Sequence, residues 1–234
     1  MSSTKKLSHF NNKEKKSWHK TWWGISLIIF FTIFLIFSIA VSFYFFDLVK
    51  QNKYNIVNQK FKTTNKTYQI STQDNFWLGA SEPKITIIEF ADFACPFSKN
   101  SYPNIREISL KYKDQVKIVF KDYPIREESI LLAMAGRCAG EQGLFWLMHD
   151  KLFQNQGIKT DQQLIALANQ LGADINKFTD CLTKQKYLQK IQKDFEEGSS
   201  LNLAGTPVWF INGHKIDGDI PHDTFIQIIE EMLK

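Results

Sequence analysis

From Trp23 to Phe46 the chain runs 24 residues without a charge, rich in Ile, Leu and Phe. At ~1.5 Å of rise per residue, a helix of that length crosses a hydrocarbon core of ~30 Å. Aromatic residues cluster at both ends (Trp22 and Trp23; Tyr44, Phe45 and Phe46), where interfacial belts form. A buried core helix would be shorter and would carry a polar stripe. A cleaved signal peptide is the other alternative, but its apolar region spans only ~7–15 residues. Here a 21-residue polar segment precedes the run, and the nearest small-x-small site, Ala40-Val41-Ser42, lies inside it. Residues 22–48 are therefore read as a retained transmembrane helix, with membrane lipid as its partner.

The lysines give that helix a direction. Residues 1–21 hold six lysines against Glu14 alone, a net charge of +5, and the whole chain is also +5. The rest of the chain therefore sums to zero. The positive-inside rule keeps this basic tail in the cytoplasm and sends the remainder across. With the excess charge confined to a topogenic tail, the exported part offers no basic face for nucleic acid.

Residues 49–75 are dominated by Asn, Gln, Lys and Thr. Such a composition buries little, so the segment reads as a polar spacer before a folded domain over 76–234. Within that domain Ile85–Phe90 and Val116–Phe120 are short apolar runs of the kind that form buried strands. Between them a helical stretch follows Cys95-Pro96 to about Tyr112. A block from about 127 to 200 reads as helical throughout. It contains a capping box at Thr160–Gln163, a stop at Gly172 and a cap at Asp174. Val208–Ile211 and Lys215–Ile216 flank Asn212-Gly213, a two-residue hairpin signal. Pro221 then opens a last amphipathic helix. The fold class is α/β with an all-helical insertion.

An exported domain meets an oxidising compartment, where paired cysteines join and an odd one stays reactive or links to another chain. The cysteines are Cys95, Cys138 and Cys181, which allow three pairings. Cys95 sits where a buried strand turns into a helix, just before Pro96. Pro96 fits the first helical turn, and the free N–H groups there favour an anionic neighbour such as a thiolate. Free cysteines are often only small buried hydrophobes, but this placement favours the reactive reading.

The segment Ile87-Ile-Glu-Phe-Ala-Asp-Phe-Ala-Cys-Pro-Phe97 resembles the active-site segment of DsbA-like proteins in the thioredoxin superfamily. Three further stretches recur in the family's order: Phe120–Pro124, Cys138–Trp146 and Ala204–Gly213. The resemblance covers about residues 76–234 and implies a thioredoxin fold with a helical insertion. It also implies that Thr206-Pro207 is a cis-proline segment beside the cysteine, along which a client strand can lie. Glu89 and Lys121 resemble the family's buried acid and its charge partner, a proton relay; otherwise they are a surface pair on strand ends. Some relatives carry a second, structural disulfide, which here would be Cys138–Cys181. Closing that loop would stabilise by ~3–4 kcal/mol. The competing assignment makes Cys138 a distant resolving thiol for Cys95.

One departure decides the chemistry. The family pattern is Cys-x-x-Cys, and the second position here is Ser98. Serine can donate a hydrogen bond to a thiolate but cannot close a disulfide with it. Cys95 would then work as a single nucleophile on exported client proteins, with a client thiol or a small thiol such as glutathione resolving the mixed disulfide. That suits isomerisation or reduction better than dithiol oxidation. A non-catalytic peptide-binding module and a glutathione-dependent transferase or peroxidase are the competing functions. The five histidines lack metal-ligand spacing and no phosphate loop follows a strand, so neither metal nor cofactor is expected. His149 is expected on a helix surface, and Phe145-Trp146 in the core.

The topology has a direct test. External protease on cells stripped of any outer barrier should digest residues 50–234 and spare the N-terminus. Protection of the C-terminal domain would overturn the export argument.

Overall fold

The computed structural model describes residues 22–63 and 66–234, with side chains described for 22–52 and 66–234. The basic tail over 1–21 lies outside the described residues. The chain divides near residue 55 into two compact units. The first ends at Asn55 and holds most of the helix α1 (Trp22–Thr63), whose stretch Trp22–Asn52 is long and apolar enough to cross a membrane. Its large side chains, among them Phe34 and Phe37, stand exposed. A core helix would bury them.

The second unit holds β1 (Trp77–Gly79), β2 (Ile85–Ala91), α2 (Pro96–Lys111) and β3 (Val116–Asp122). An insertion of α3 (Ser129–Gly140), α4 (Phe145–Gln154), α5 (Asp161–Gln170), α6 (Ile175–Thr183) and α7 (Leu188–Ser200) follows. It ends with β4 (Val208–Ile211), β5 (His214–Asp217) and α8 (His222–Met232). The five strands form one sheet in the order β1-β3-β2-β4-β5. Its centre is the parallel pair β2–β3, joined through α2 as parallel strands require. β1, β4 and β5 add antiparallel.

Burial explains the strands. Ile85 and Ile87 of β2 face one way with Val116, Ile118, Trp209 and Ile211, in a core closed by residues of α2 and α8. Ile88 and Phe90 face the other way with Val119 and Phe210. Asn212 and Gly213 both take positive φ, 46° and 82°, as a two-residue hairpin turn of type I′ requires. The capping box at Thr160–Gln163 and the Asp174 cap both form.

The block over 127–200 forms five helices, with the expected break around Gly172 and Asp174 and further turns between the others. The strand β1 is new: three residues give no periodicity to read. Its Gly79, at φ +93°, lies so close to β3 that a Cβ would sit 2.1 Å from the Val116 carbonyl oxygen. Finally, the segment read as a spacer over 49–75 is helical to Thr63, and its last residues dock on the sheet. The Tyr68 N–H donates to the Gly213 carbonyl at 2.9 Å, and its ring meets Phe210 edge-on. Buried Asn75 donates to the Phe120 carbonyl at 3.1 Å and to Asp194 at 2.9 Å. A few residues at the right spacing do this, and average composition hides them.

Cys138 of α3 is bonded to Cys181 of α6, with Cα atoms 5.7 Å apart. Both lie in the insertion core. Cys138 is thereby removed as a partner for Cys95, the free cysteine.

Beside the disulfide runs a buried charge network. Arg137 of α3 contacts Asp122 of β3 at 2.5 Å and Asp194 of α7 at 2.6 Å. Asp194 also pairs with Lys121 at 3.2 Å and accepts from Lys190 at 2.7 Å, while Lys121 pairs with Glu197 and donates to the Ser71 carbonyl. Burial pushes the Asp122 carboxyl up, and the Arg137 charge opposes that. Asp194→Ala would leave Arg137 and Lys121 short of a counter-charge in the interior, at an expected cost of about 3–5 kcal/mol in urea unfolding. The exposed Lys111–Glu230 pair is the control, and Glu230→Ala should leave the midpoint where it was. Equal midpoints for both variants would remove the network from the account of stability.

Candidate active site

The site forms at the C-terminal end of β2, where the chain turns into α2. Cys95 is the N-cap of that helix, with extended backbone (φ −79°, ψ 123°), and Pro96 occupies the first turn. A proline there loses nothing, because the first N–H groups have no helical partner. The turn before it is built by Asp92. Its backbone carbonyl accepts from the Cys95 N–H at 2.9 Å. Its carboxylate accepts from the Ala94 N–H at 2.8 Å and the Ile125 N–H at 3.1 Å.

Opposite this turn the chain enters β4 through a cis peptide bond between Thr206 and Pro207. Phe90 pairs with Val208 across the β2–β4 ladder, which brings Pro207 beside the end of β2. The Cys95 thiol donates to the Thr206 carbonyl at 3.2 Å. Cys95 is only 2% exposed. Phe97, next along α2, is 59% exposed.

Ser98 lies one turn into α2, fully buried. The expected hydrogen bond to Cys95 is not made. Ser98 Oγ has no hydrogen-bond partner among the described residues, and neither has Thr206 Oγ1. The Cys95 thiol instead donates to the Thr206 carbonyl.

Glu89 is also fully buried and its two carboxylate oxygens have no partner among the described residues. In the sheet it stands between Phe120 on β3 and Trp209 on β4. Burial alone pushes its carboxyl up to about 8. The expected relay with Lys121 does not assemble. Lys121 pairs in register with Phe90, the neighbour of Glu89, so it leaves from the opposite face. Its ammonium lies 5.5 Å from the Phe90 ring and belongs to the charge network. Both residues are buried, so the surface-pair alternative fails as well.

His149 is not on a helix surface but fully buried. Rings of Phe93, Phe120, Phe153 and Trp146 surround it, with centroids 4.9–5.7 Å away. Burial lowers its pKa and the adjacent Asp150, 2.9 Å from Nδ1, partly opposes this. Asp150 in turn pairs with Arg106 of α2 at 3.0 Å. As expected, Phe145 is core; Trp146 packs on its ring and donates to the Trp77 carbonyl.

Two functional neighbours were not singled out from the sequence. Asp92 was legible, since an aspartate three residues before a helix start commonly closes a turn onto its own backbone. Gln156, which reaches the Cys95 loop from the insertion, gives no local signal. Among the described residues no three His, Cys, Asp or Glu side chains gather as a metal site. A cleft of about 850 Å³ lies along α3 and α6, but none of its lining residues belongs to the cysteine site. Its charges pair internally, Lys186 and Tyr187 with Glu141 and Lys184 with Asp180.

Known proteins resemble this chain in several ways. A family model described as Thioredoxin matches residues 71–231. The "Probable disulfide bond formation protein D" of Bacillus anthracis is 27% identical over 214 residues, covering 86% of this chain and 94% of that protein. The "Na(+)/H(+) antiporter NhaA 3" of Salinispora tropica is 31% identical over 143 residues, covering 60% of this chain. The chain spans only about a fifth (22%) of that antiporter's length. The crystal structure of oxidised BdbD from Bacillus subtilis superposes with a TM-score of 0.62 at 24% identity, covering 71% of this chain and 97% of that one. With the sheet order, the cysteine at the helix start and the matched span in agreement, the chain belongs to the thioredoxin family.

Proposed function

We propose that this protein is a membrane-anchored, extracytoplasmic thiol–disulfide oxidoreductase that works through Cys95 alone. The observation that carries the reading is the Cys95 sulfur at a helix start, bonded to the carbonyl that precedes a cis-proline. A client strand laid against Thr206 and Pro207 would bring its disulfide to that sulfur. The Cys95 thiolate attacks one client sulfur, the client disulfide breaks, and the other client sulfur leaves as a thiolate. The resulting mixed disulfide has no resolving cysteine at position 98. A client thiolate closes the cycle by attacking the client sulfur, which returns the Cys95 thiolate and leaves a rearranged disulfide. A small thiol such as glutathione can resolve it instead, so that two such thiols reduce one client disulfide. No disulfide is stored at Cys95 in either cycle, which favours isomerase or reductase work.

Before attack the thiol must lose its proton. Glu89 is the acid we assign to that exchange, because a carboxyl pushed up to about 8 can both take and release a proton near neutrality. Lys121 has no part in it. The anchor α1 holds the domain near the membrane through which its clients emerge.

Scrambled ribonuclease with glutathione tests the reading. The wild type should restore ribonuclease activity, and Cys95→Ala should not while keeping its fold. Against a reduced dithiol client the wild type should be a poor stoichiometric oxidant, and Ser98→Cys should gain that activity. If wild type and Cys95→Ala behave alike, a peptide-binding module replaces the enzyme; activity saturable only in glutathione points to the transferase.

Glu89 supplies a second test, in stability. Its folded value near 8 lies above the ordinary carboxylate value of 4.5. Between the two the folded state binds more proton than the unfolded state, so stability falls as pH rises. Between those values the slope is on the order of 1 kcal/mol per pH unit; the stabilisation is fully present below the unfolded value and lost as pH rises through the folded one. Glu89→Gln should flatten the fall of urea midpoint between pH 5 and 8. Parallel curves for the two proteins would contradict a buried, titrating Glu89.

A further inference from the structure

We infer that Gln156 is a positioning residue for the nucleophile, through which the helical insertion holds the Cys95 turn in its reactive shape. The inference rests on the thiol chemistry proposed for Cys95. Gln156 lies just past α4, half-buried, between the buried anchors Phe153 and Ile158. Its side-chain amide donates to the Phe93 carbonyl and to the Cys95 carbonyl, both at 2.9 Å. A primary amide has two N–H donors, and here both are spent on one tripeptide.

The consequence is geometric. The Cys95 carbonyl is the first helical acceptor of α2, taking the Lys99 N–H at 3.0 Å, and Gln156 adds a second donor to it. The Phe93 carbonyl is held to the same nitrogen. The two carbonyls bracket Ala94 and cannot rotate independently while the amide bridges them. Asp92 fixes the turn from the sheet side, through Ala94 and Ile125. Gln156 fixes it from the insertion side, where the Phe93 ring is packed against Phe120 and Phe153. With both in place the sulfur is aimed at the Thr206 carbonyl. Without the amide bridge the turn keeps its Asp92 contacts but gains freedom at Phe93–Cys95, and in-line attack on a client disulfide tolerates little misplacement.

Gln156→Met removes both donors at similar length, and Gln156→Glu replaces them by a carboxylate that faces two carbonyl oxygens. Three readouts on the full chain separate positioning from mere structure. Hydrogen–deuterium exchange should speed up in residues 92–99 and stay unchanged in the sheet and α3. Mixed-disulfide formation with a peptide disulfide should fall about tenfold or more in Gln156→Met, and further in Gln156→Glu. Alkylation of Cys95 by iodoacetamide, which needs no aligned client, should change much less, and the melting temperature should stay near wild type. Unaltered exchange in 92–99 overturns the inference, as does a fall in both rates in step with melting temperature. A wild type that forms no mixed disulfide would sink the proposed function instead, and the exchange measurement would still decide the role of Gln156.

Discussion

Arg137 and Cys138 are consecutive residues that tie the insertion down in two directions. The guanidinium reaches Asp122 on the sheet and Asp194 on α7, and the sulfur reaches Cys181 on α6. A buried guanidinium tolerates few arrangements, since each lost partner costs several kcal/mol. Its demand for two carboxylates therefore fixes how α3 and α7 meet β3. Once α3 is set, α4 packs against it and places the aromatic cage of His149 around Phe93, two residues before the nucleophile. Gln156 follows from the same helix. The geometry at Cys95 is thus inherited from charges buried on β3, α3 and α7.

Ser98 shows what the surrounding packing was suited to hold. Its hydroxyl is fully enclosed and unpartnered, which costs about 1–3 kcal/mol for a strong hydrogen-bonding group. A thiol at this position would pay far less, because sulfur is a weak donor and acceptor and behaves as a small hydrophobe. Serine at position 98 thus gives up stability as well as the stored disulfide. What remains is a buried thiol that donates to the Thr206 carbonyl, just before the cis peptide bond to Pro207.

Much of this was legible because the relevant signals are local. The uncharged run, the β-branched strands, the capping box and Asn212-Gly213 each depend on neighbours within about a turn, and each appears where expected. Cys95-Pro96 was legible for the same reason, as a helix start written in two residues. Signals carried by long-range packing were not. Tyr68 and Asn75 look like polar-segment residues until the partners they meet, Phe210 and Asp194, are in place. His149 follows the helical period of α4 into the core, and only the surrounding rings reveal it as an interior group. Gln156 depends on a loop 61 residues from the carbonyl it holds, and no pattern of one chain anticipates such a pairing.

Glu89 and Lys121 carry the clearest lesson about how a sheet divides its chemistry. Motif order suggested that they meet, but strand residues alternate between faces, and the β2–β3 register sets Glu89 beside Phe120 and Lys121 beside Phe90. A one-residue offset thus sends the ammonium to Asp194 and Glu197 and leaves the carboxyl among aromatic rings. On the Lys121 face, charges are compensated and serve stability. On the Glu89 face an acid without a counter-charge is pushed up to about 8, where its protonation can change in ordinary conditions. Had Lys121 reached Glu89, attraction would have held the carboxylate ionised and the group would exchange no proton near neutrality. The separation of the two side chains is therefore what leaves the Glu89 carboxyl raised by burial and unopposed by a cation.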